Sequence, residues 1–263
     1  MLREAISNTA TSAPVGMSQA ELTLRVELAA AYRLVDHFGW TELIYAHLTA
    51  RVPGNDDHFL INRWGLNYDE VTASNLVKID VDGKAIDQPD APVNYAGFVI
   101  HSAIHKSRSA EAHVVMHTHT PAGMAVAALE DGLQPISMFA TAFHGDRLAY
   151  HDYEGASLYL DERERLVRSL GNAKAMVLRN HGLLTVGRTV PECLLRLYRL
   201  ERACQVQLAA AAAGRLRVLP GVLASKSGAD LDAFQARLPE GEGQVEFEAL
   251  MRKLDRVDAS YRT

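Results

Sequence analysis

Residues 114–121 read VVMHTHTP, an apolar run that closes on a His-x-His pair and a proline. The run predicts a buried β-strand, and side chains two residues apart on a strand point to the same face, so His117 and His119 can bind one ion together. Further along the chain, residues 178–183 read LRNHGL and add His181. Three neutral imidazoles suit Zn²⁺ or another borderline divalent metal and leave a fourth position for water or substrate. The two stretches therefore predict an open, working metal site.

The histidine pair is not specific by itself. With 11 histidines in 263 residues, chance alone gives roughly 0.5 such pairs. The context strengthens the signal, because Pro121 and Gly123 mark a strand-to-helix break. His181 likewise follows a buried-looking strand at residues 175–178 and precedes the permissive Gly182. From spacing alone, a metal site and a set of hydrogen-bonded, half-buried histidines stay equally open.

The composition is that of an ordinary soluble protein. The chain has 263 residues, 48% hydrophobic and 22% charged, which is enough for one large domain with its own core. The net charge of −5 and the scattered basic residues exclude a nucleic-acid footprint. Residues 1–17 lack the apolar segment of a signal peptide, and no apolar stretch approaches a membrane span. A cytoplasmic protein without a membrane partner is therefore expected.

The two cysteines, Cys193 and Cys204, fall in one predicted helix. Their spacing along a helix separates them by about 16 Å, which is beyond the reach of a disulfide. We interpret both as small packing residues in a reducing compartment.

Strands and helices alternate along the chain. Residues 1–17 are small, polar and aperiodic and are predicted to be a flexible arm. Capping boxes at Ser18 and Thr189 predict helices that begin there, the second of them running to about Ala213. The stretch after Gly214 is polar and glycine-rich. Strands are predicted at residues 43–51, 58–61, 76–81, 112–119 and 175–178, and further helices at 97–106, 122–129, 160–170 and 245–254. This alternation over one continuous length predicts a single α/β domain.

Six blocks of sequence point to one family when they are taken in order. They are GWTELIY at 39–45, EVTASNLV at 70–77, AGFVIH at 96–101, HTHTPAG at 117–123, AYHDY at 149–153 and RNHG at 179–182. Together they resemble the class II aldolase/adducin family, and within it most closely the adducin head and its bacterial relatives. The match covers about residues 20–215.

The resemblance implies a fold and an assembly. The expected fold is one three-layer α/β/α domain at residues 18–263, with a central, mainly antiparallel sheet flanked by helices and a helical extension at residues 216–263. The expected assembly is a homo-oligomer, commonly a tetramer, with active sites between subunits. His117, His119 and His181 match the family's metal ligands. The implied cofactor is a divalent ion, most often Zn²⁺, with Mn²⁺, Co²⁺ or Fe²⁺ as alternatives, and no residue is assigned to an organic cofactor.

Two departures from the family pattern bear on the reaction. Sugar-phosphate aldolases of the family use a Glu upstream of the histidine pair as the acid/base, and here Gly97 stands at that position. The family's Gly-Asn phosphate loop falls on Ala46 and His47, which lack the backbone freedom that brings amides close to a phosphate. A phosphorylated sugar and the usual base are therefore both in doubt.

These observations favour a metal-dependent lyase that acts on a small, non-phosphorylated carbonyl or carboxylic acid. Decarboxylation of a β-keto acid needs only an electron sink for the bond-breaking step, whereas retro-aldol cleavage also needs a placed base. Candidates for proton transfer are His144 and the block of Tyr150, His151 and Tyr153, although this block also fits a surface or interface loop. A second hypothesis is a non-catalytic, adducin-like scaffold or binding domain.

Three further histidines are assigned structural roles. His101 and His105 have helical i,i+4 spacing but lack the Glu of a His-Glu-x-x-His site, so one is expected to pack and the other to be exposed. His113 shares the predicted strand face of the pair and is expected to be a buried core residue or a partner of the ligands.

Overall fold

A seven-stranded sheet forms the centre of the molecule. The computed structural model describes residues 16–107, 111–155 and 162–263, and for residues 95–99 the backbone alone. The strands are β1 His47–Arg51, β2 His58–Ile61, β3 Val77–Asp80, β4 Val114–Thr118, β5 Leu148–His151, β6 Ala175–Leu178 and β7 Gly182–Gly187. Their order is β3-β2-β1-β4-β7-β6-β5. The β5–β6 pair is parallel and the other pairs are antiparallel, which confirms the predicted mainly antiparallel sheet.

Helices cover both faces of this sheet. They are α1 Gln19–His37, α2 Tyr95–Ser107, α3 Pro121–Ala127, α4 Met138–Thr141, α5 Glu162–Leu170, α6 Val190–Ala213, α7 Gly221–Gln235 and α8 Gln244–Val257. Alternate residues of β4 belong to two separate cores. Val115 packs with residues of α2 and α5, whereas Val114 and Met116 pack with residues of α1, α6 and α8. A strand buried on both faces produces this alternation, and the predicted three-layer arrangement is confirmed.

Both predicted capping boxes begin helices. The Oγ of Ser18 accepts a hydrogen bond of 3.1 Å from the N–H of Glu21 at the start of α1. The Oγ1 of Thr189 accepts one of 3.2 Å from the N–H of Glu192 at the start of α6. Each side chain satisfies one of the amides that the first turn of a helix leaves unpaired.

The predicted strand at residues 43–51 is shorter than expected. Leu43 and Ala46 have positive φ angles of 52° and 63°, and a left-handed residue turns the chain away from extended geometry. The strand therefore begins only at His47. Residues 42–46 form a compact turn instead.

The C-terminal extension contains one helix, α7, that the local sequence pattern does not indicate. α7 forms within the polar, glycine-rich stretch, and its apolar residues Val222 and Phe234 are exposed, so no apolar face marks this helix in the sequence. α8 confirms the helix predicted at residues 245–254.

The cysteines lie where their spacing predicts. Cys193 and Cys204 are free, buried thiols in α6. Across the described ranges, no helix is both long enough and apolar enough to cross a membrane. The flexible arm predicted at residues 1–17 lies outside the described residues, apart from Gly16 and Met17.

Candidate metal centre

Three histidine side chains converge at one end of the paired strands β4 and β7. His117 lies in β4, His119 follows the end of that strand, and His181 lies in the turn between β6 and β7. The Nε2 of His119 lies 2.7 Å from the Nε2 of His117 and 3.0 Å from the Nε2 of His181. The fold thus brings together the three residues that the sequence predicts as metal ligands.

The turn between β6 and β7 delivers His181 to the end of β4. Asn180 takes a left-handed conformation, with φ 55°, which asparagine tolerates better than most residues. The N–H of His181 donates to the carbonyl oxygen of Leu178 at 3.0 Å. Gly182 then begins β7 very close to the ligand strand, because a Cβ on Gly182 would lie 2.4 Å from the carbonyl oxygen of Thr118. The residue types at 180 and 182 therefore match the backbone that presents His181.

One hydrogen bond fixes the ring of His117. Its Nδ1 lies 2.8 Å from the carbonyl oxygen of Leu183. Because a carbonyl oxygen only accepts, the Nδ1 carries the proton and the Nε2 presents a lone pair towards His119 and His181. Metal-binding imidazoles are commonly held in this way, with the second ring nitrogen donating to a carbonyl or carboxylate.

Burial keeps the three imidazoles neutral near pH 7. Desolvation holds the pKa of His117 well below its usual value, lowers the pKa of His119, and brings the pKa of His181 to about 4. Repulsion between the rings lowers the pKa values of His117 and His181 further. Neutral imidazole is the form that binds a metal ion.

The three imidazole nitrogens suit a bound divalent cation better than they suit hydrogen bonds to one another. A neutral imidazole has a single N–H, so the Nε2 of His119 cannot donate fully to both of its neighbours. The ligand atoms of the three histidines lie within 4.8 Å of one another. Their lone pairs repel unless a proton or a cation lies between them. A site of three imidazole nitrogens suits Zn²⁺ and the neighbouring first-row ions.

A second layer of histidines lies beside the centre on the α2 face of the sheet. The Oγ1 of Thr49 lies 2.6 Å from the Nδ1 of His101 and 2.8 Å from the Nε2 of His105. The Nδ1 of His105 donates to the carbonyl oxygen of Ala112 at 2.8 Å. Both histidines are buried, so the expectation that one of them is exposed is wrong. Thr49 of β1 is the reason, since it offers both rings a partner that is distant in sequence.

His47 connects the two layers. It pairs with His117 across β1 and β4, and its ring centroid lies 4.1 Å from that of His101 and 5.5 Å from that of His117. The ring is buried, and within the described part of the chain neither of its nitrogens has a hydrogen-bond partner. Burial lowers the pKa of His47 to about 3. The residue pattern alone does not place His47 beside the centre, because only the long-range pairing of β1 with β4 creates that position.

His113 is less buried than predicted. It directly precedes β4, which begins at Val114. It is only partly buried, and its carbonyl oxygen accepts a hydrogen bond of 2.7 Å from the N–H of Arg51. The expectation of a buried core histidine is therefore wrong.

The predicted proton-transfer residues lie at the far edge of the sheet. Tyr150 and His151 belong to β5, which is the third strand from β4, so roughly 14 Å of sheet separates them from the centre. The hydroxyl of Tyr150 accepts a hydrogen bond of 3.0 Å from the N–H of Leu133. The Nδ1 of His151 lies 2.9 Å from the Oγ of Ser169, and Tyr153 is 58% exposed. Within one chain, these side chains do not join the three histidines.

Both departures from the family pattern, at Gly97 and at Ala46 and His47, have a defined backbone in the structure. Gly97 lies in the first turn of α2, so that position supplies no carboxylate. Ala46 adopts φ 63° in spite of its Cβ. The expected lack of backbone freedom is therefore wrong, because the turn imposes the left-handed conformation at a cost of roughly 1–2 kcal/mol. The larger difference is the next residue, the buried His47.

Comparison with known proteins identifies the family. The model of the class II aldolase and adducin N-terminal domain matches residues 26–208. A crystal structure of an aldolase II superfamily protein from Pseudomonas syringae superposes with a TM-score of 0.85 and 49% identity, over 94% of this chain and 98% of that chain. The L-fuculose 1-phosphate aldolase from Glaciozyma antarctica PI12 has a TM-score of 0.79 and 30% identity, over 95% and 97% of the two chains.

A third relative is an adducin. Alpha-adducin from Mus musculus is 43% identical over 263 residues, which cover 95% of this chain and 35% of the adducin. The chain belongs to the class II aldolase and adducin family. The matches include both an aldolase and an adducin, so family membership alone does not decide between catalysis and a non-catalytic role.

Proposed function

We propose that this protein is a divalent-metal-dependent carbon–carbon lyase, an aldolase or a decarboxylase. The observation that carries the proposal is the convergence of the Nε2 atoms of His117, His119 and His181. An ion bound there, Zn²⁺ in the first instance, would supply Lewis-acid polarisation of a substrate carbonyl. The chain's own contribution is to hold the ligands ready: the carbonyl of Leu183 fixes the tautomer of His117, and burial keeps the rings unprotonated.

We propose a small, non-phosphorylated carbonyl compound or carboxylic acid as the substrate. The residue beside the centre, where the resemblance places the family's phosphate loop, is the buried and neutral His47. A neutral imidazole offers a dianion one N–H and no positive charge. Phosphate sites combine several amides with a cation. A keto acid, a hydroxy acid or an unphosphorylated hydroxyketone therefore fits the environment of His47 better than a phosphorylated sugar does.

Metal content tests the centre directly. Protein purified without added metal is expected to carry about one divalent ion per chain, measured by elemental analysis. His117→Ala and His119→Ala are expected to lose the ion and keep the circular dichroism of the folded chain. His37→Ala, which changes an exposed histidine at the end of α1, is the matched control and should retain the ion.

Wild-type protein that contains no metal and takes up no added Zn²⁺ would contradict the proposed centre. The second hypothesis, a non-catalytic scaffold or binding domain, would then explain the protein better. The 43% identity to mouse alpha-adducin over nearly the whole chain favours that second candidate.

Proton transfer is proposed to use Tyr150, His151 and Tyr153 from a second copy of the chain in a homo-oligomer, a tetramer in the first instance. Tyr153 is exposed at the edge of the sheet, so it can reach a neighbouring molecule. Small keto and hydroxy acids would be screened for release of carbon dioxide or an aldehyde. Tyr153→Phe is then expected to lower turnover by about 10²-fold or more, with metal content unchanged.

Mixed oligomers test whether the site is shared. Chains carrying Tyr153→Phe and chains carrying His117→Ala are each expected to have little activity alone and to regain part of the activity when mixed, because one intact site then forms between two chains. No recovery on mixing would argue against a shared site. A wild-type rate in Tyr153→Phe would reject the role of this tyrosine.

A further inference from the structure

His119 is held less directly than His117. His117 lies within β4, and its Nδ1 donates to the carbonyl oxygen of Leu183. His119 follows the end of that strand, and among the described residues its Nδ1 has no hydrogen-bond partner. The position of the His119 ring therefore depends on the backbone that continues into Thr120.

Thr120 fixes the turn that follows His119. Its Oγ1 accepts a hydrogen bond of 3.1 Å from the N–H of Gly123, and its carbonyl oxygen accepts one of 2.8 Å from the N–H of Met124. These two bonds make Thr120 the N-cap of α3. Because the Oγ1 accepts from Gly123, the hydroxyl proton of Thr120 remains available for a second hydrogen bond.

Glu201 of α6 accepts that proton. Its Oε2 lies 2.5 Å from the Oγ1 of Thr120, and its Oε1 accepts a hydrogen bond of 2.8 Å from the Nε2 of Gln205. Thr120 and Glu201 are each only 2% exposed. Hydrogen bonds to a carboxylate are stronger than those between neutral groups, so this contact ties the residue after His119 to the long helix α6.

The carboxylate of Glu201 occupies an otherwise apolar stretch of α6. The nearby residues Leu197, Leu200 and Cys204 are buried. Burial raises the pKa of Glu201, and within the described part of the chain no lysine or arginine forms an ion pair with it. A buried carboxylate is costly unless hydrogen bonds compensate. The bond to Thr120 accounts for an acid at a position that would otherwise suit leucine.

The first turn of α3 is packed tightly against β7. A Cβ on Gly123 would lie 2.7 Å from both the Cγ of Leu183 and the Oγ1 of Thr120. Leu183 is also the residue whose carbonyl oxygen holds the ring of His117. A displacement of Thr120 would therefore disturb two of the three histidines.

We propose that Glu201 is a positioning residue of the metal centre: by binding the hydroxyl of Thr120, it holds the backbone that presents His119 to a divalent ion. The inference rests on the proposed metal-dependent lyase and adds to its site a residue of α6. Within the described residues, only the three histidines form the cluster of donor atoms. Glu201 thus acts through Thr120 and does not bind the ion itself.

Zinc affinity tests this role without any need for turnover. The metal-free proteins are dialysed against Zn²⁺, and Glu201→Leu is expected to bind it at least about tenfold more weakly than wild type, as when a residue that orients a ligand is removed. Gln207→Leu is the matched control, because Gln207 is 1% exposed in the same helix and also makes two hydrogen bonds, with Gln134 and Gly132. We expect the control to lose stability in urea and to keep its zinc affinity.

The visible spectrum of bound Co²⁺ reports the arrangement of the ligands separately from stability. At saturating Co²⁺, Glu201→Leu is expected to show altered absorption bands, whereas Gln207→Leu keeps the wild-type spectrum. Glu201→Gln is expected to restore both spectrum and affinity. Its amide oxygen accepts from Thr120, and the amide of Gln205 can turn to present its own oxygen.

Thr120→Val provides a second route to the same test if Glu201→Leu does not fold. It removes the other partner of the hydrogen bond and is expected to weaken zinc binding to a similar extent. In the double variant, the loss should be smaller than the sum of the two single losses, because both residues act through one contact.

The outcomes separate this inference from the function on which it rests. Wild-type zinc affinity and an unchanged Co²⁺ spectrum in Glu201→Leu, or in Thr120→Val, would overturn the positioning role and leave the metal centre standing. An equal loss of affinity in Gln207→Leu would overturn the role as well, because the effect would then come from general destabilisation. Wild-type protein that binds neither Zn²⁺ nor Co²⁺ would instead remove the proposed lyase, and this inference with it.

Discussion

Alanine at position 182 is expected to disrupt the metal centre and to lower the free energy of unfolding by about 2–4 kcal/mol. A Cβ on Gly182 would lie 2.4 Å from the carbonyl oxygen of Thr118, 3.2 Å from the Cδ2 of His119 and 3.3 Å from the Cε1 of His117. The first contact is with backbone, so a side-chain rotation cannot relieve it. β4 and β7 must move apart at the point where they present the ligands.

Two measurements check the Gly182→Ala variant. Urea unfolding gives the loss of stability, and equilibrium dialysis against Zn²⁺ gives the loss of affinity. Gly228→Ala is the matched control, because a Cβ on Gly228 would lie 2.6 Å from the carbonyl oxygen of Thr141 in α4, well away from the histidines. We expect that control to lose stability and keep one zinc site. Full zinc affinity in Gly182→Ala would show that the strands can separate without disturbing the ligands.

Acidification is expected to unfold the metal-free protein near pH 5. Five histidines, four of them buried and His181 partly buried, have folded-state pKa values far below the value of 6.5 that an unfolded chain gives them. They are His47 at about 3, His105 at about 3, His181 at about 4, and His101 and His117 well below the usual value. Desolvation is the largest cause for each of them, since the charged ring loses its water on burial.

The direction and the size of this change in the free energy of unfolding follow from proton binding. Because the folded pKa values are depressed, the stability is fully present above the unfolded pKa and is lost as the pH falls from 6.5 towards the folded pKa values. In that window, each such histidine lowers the free energy of unfolding by about 1.4 kcal/mol per pH unit. Five of them lower it by roughly 7 kcal/mol per pH unit, and the whole stability of a domain is only about 5–15 kcal/mol.

The test is urea unfolding in EDTA between pH 7.5 and pH 5. The free energy of unfolding of His105→Gln is expected to depend less steeply on pH, by about the contribution of one histidine, even if its value at pH 7.5 is lower. His37→Gln, which changes an exposed histidine, is the matched control. A free energy of unfolding that stays constant over this range would show that these rings are protonated in the folded protein.

Interactions between residues that are close in the sequence were sufficient to predict several structural features. The hydroxyls of Ser18 and Thr189 cap helices because a cap involves only residues within one turn. His117 and His119 share a face because strand geometry fixes the direction of alternate side chains. The central antiparallel sheet came from the family resemblance, and the strand pairing confirms it.

The features that sequence reasoning missed depend on distant partners. His101 and His105 are both buried because Thr49, on another element, satisfies both rings. The turn before β1 forms only because Leu43 and Ala46 adopt left-handed conformations that neither residue type favours. The pattern of residues 43–51 resembles a strand throughout, and only the pairing of β1 with β4 shows where the strand begins.

The separation of the ligands along the chain sets the order of events during synthesis. His181 is made 62 residues after His119, so a ribosome adding about 5–20 residues per second takes roughly 3–12 s to complete the set. During that interval, the growing chain contains only two of the three histidines of this centre. The three-histidine centre cannot guide early folding, and it becomes complete only when β7 joins β4. Binding of an ion by all three histidines would therefore follow the pairing of β7 with β4.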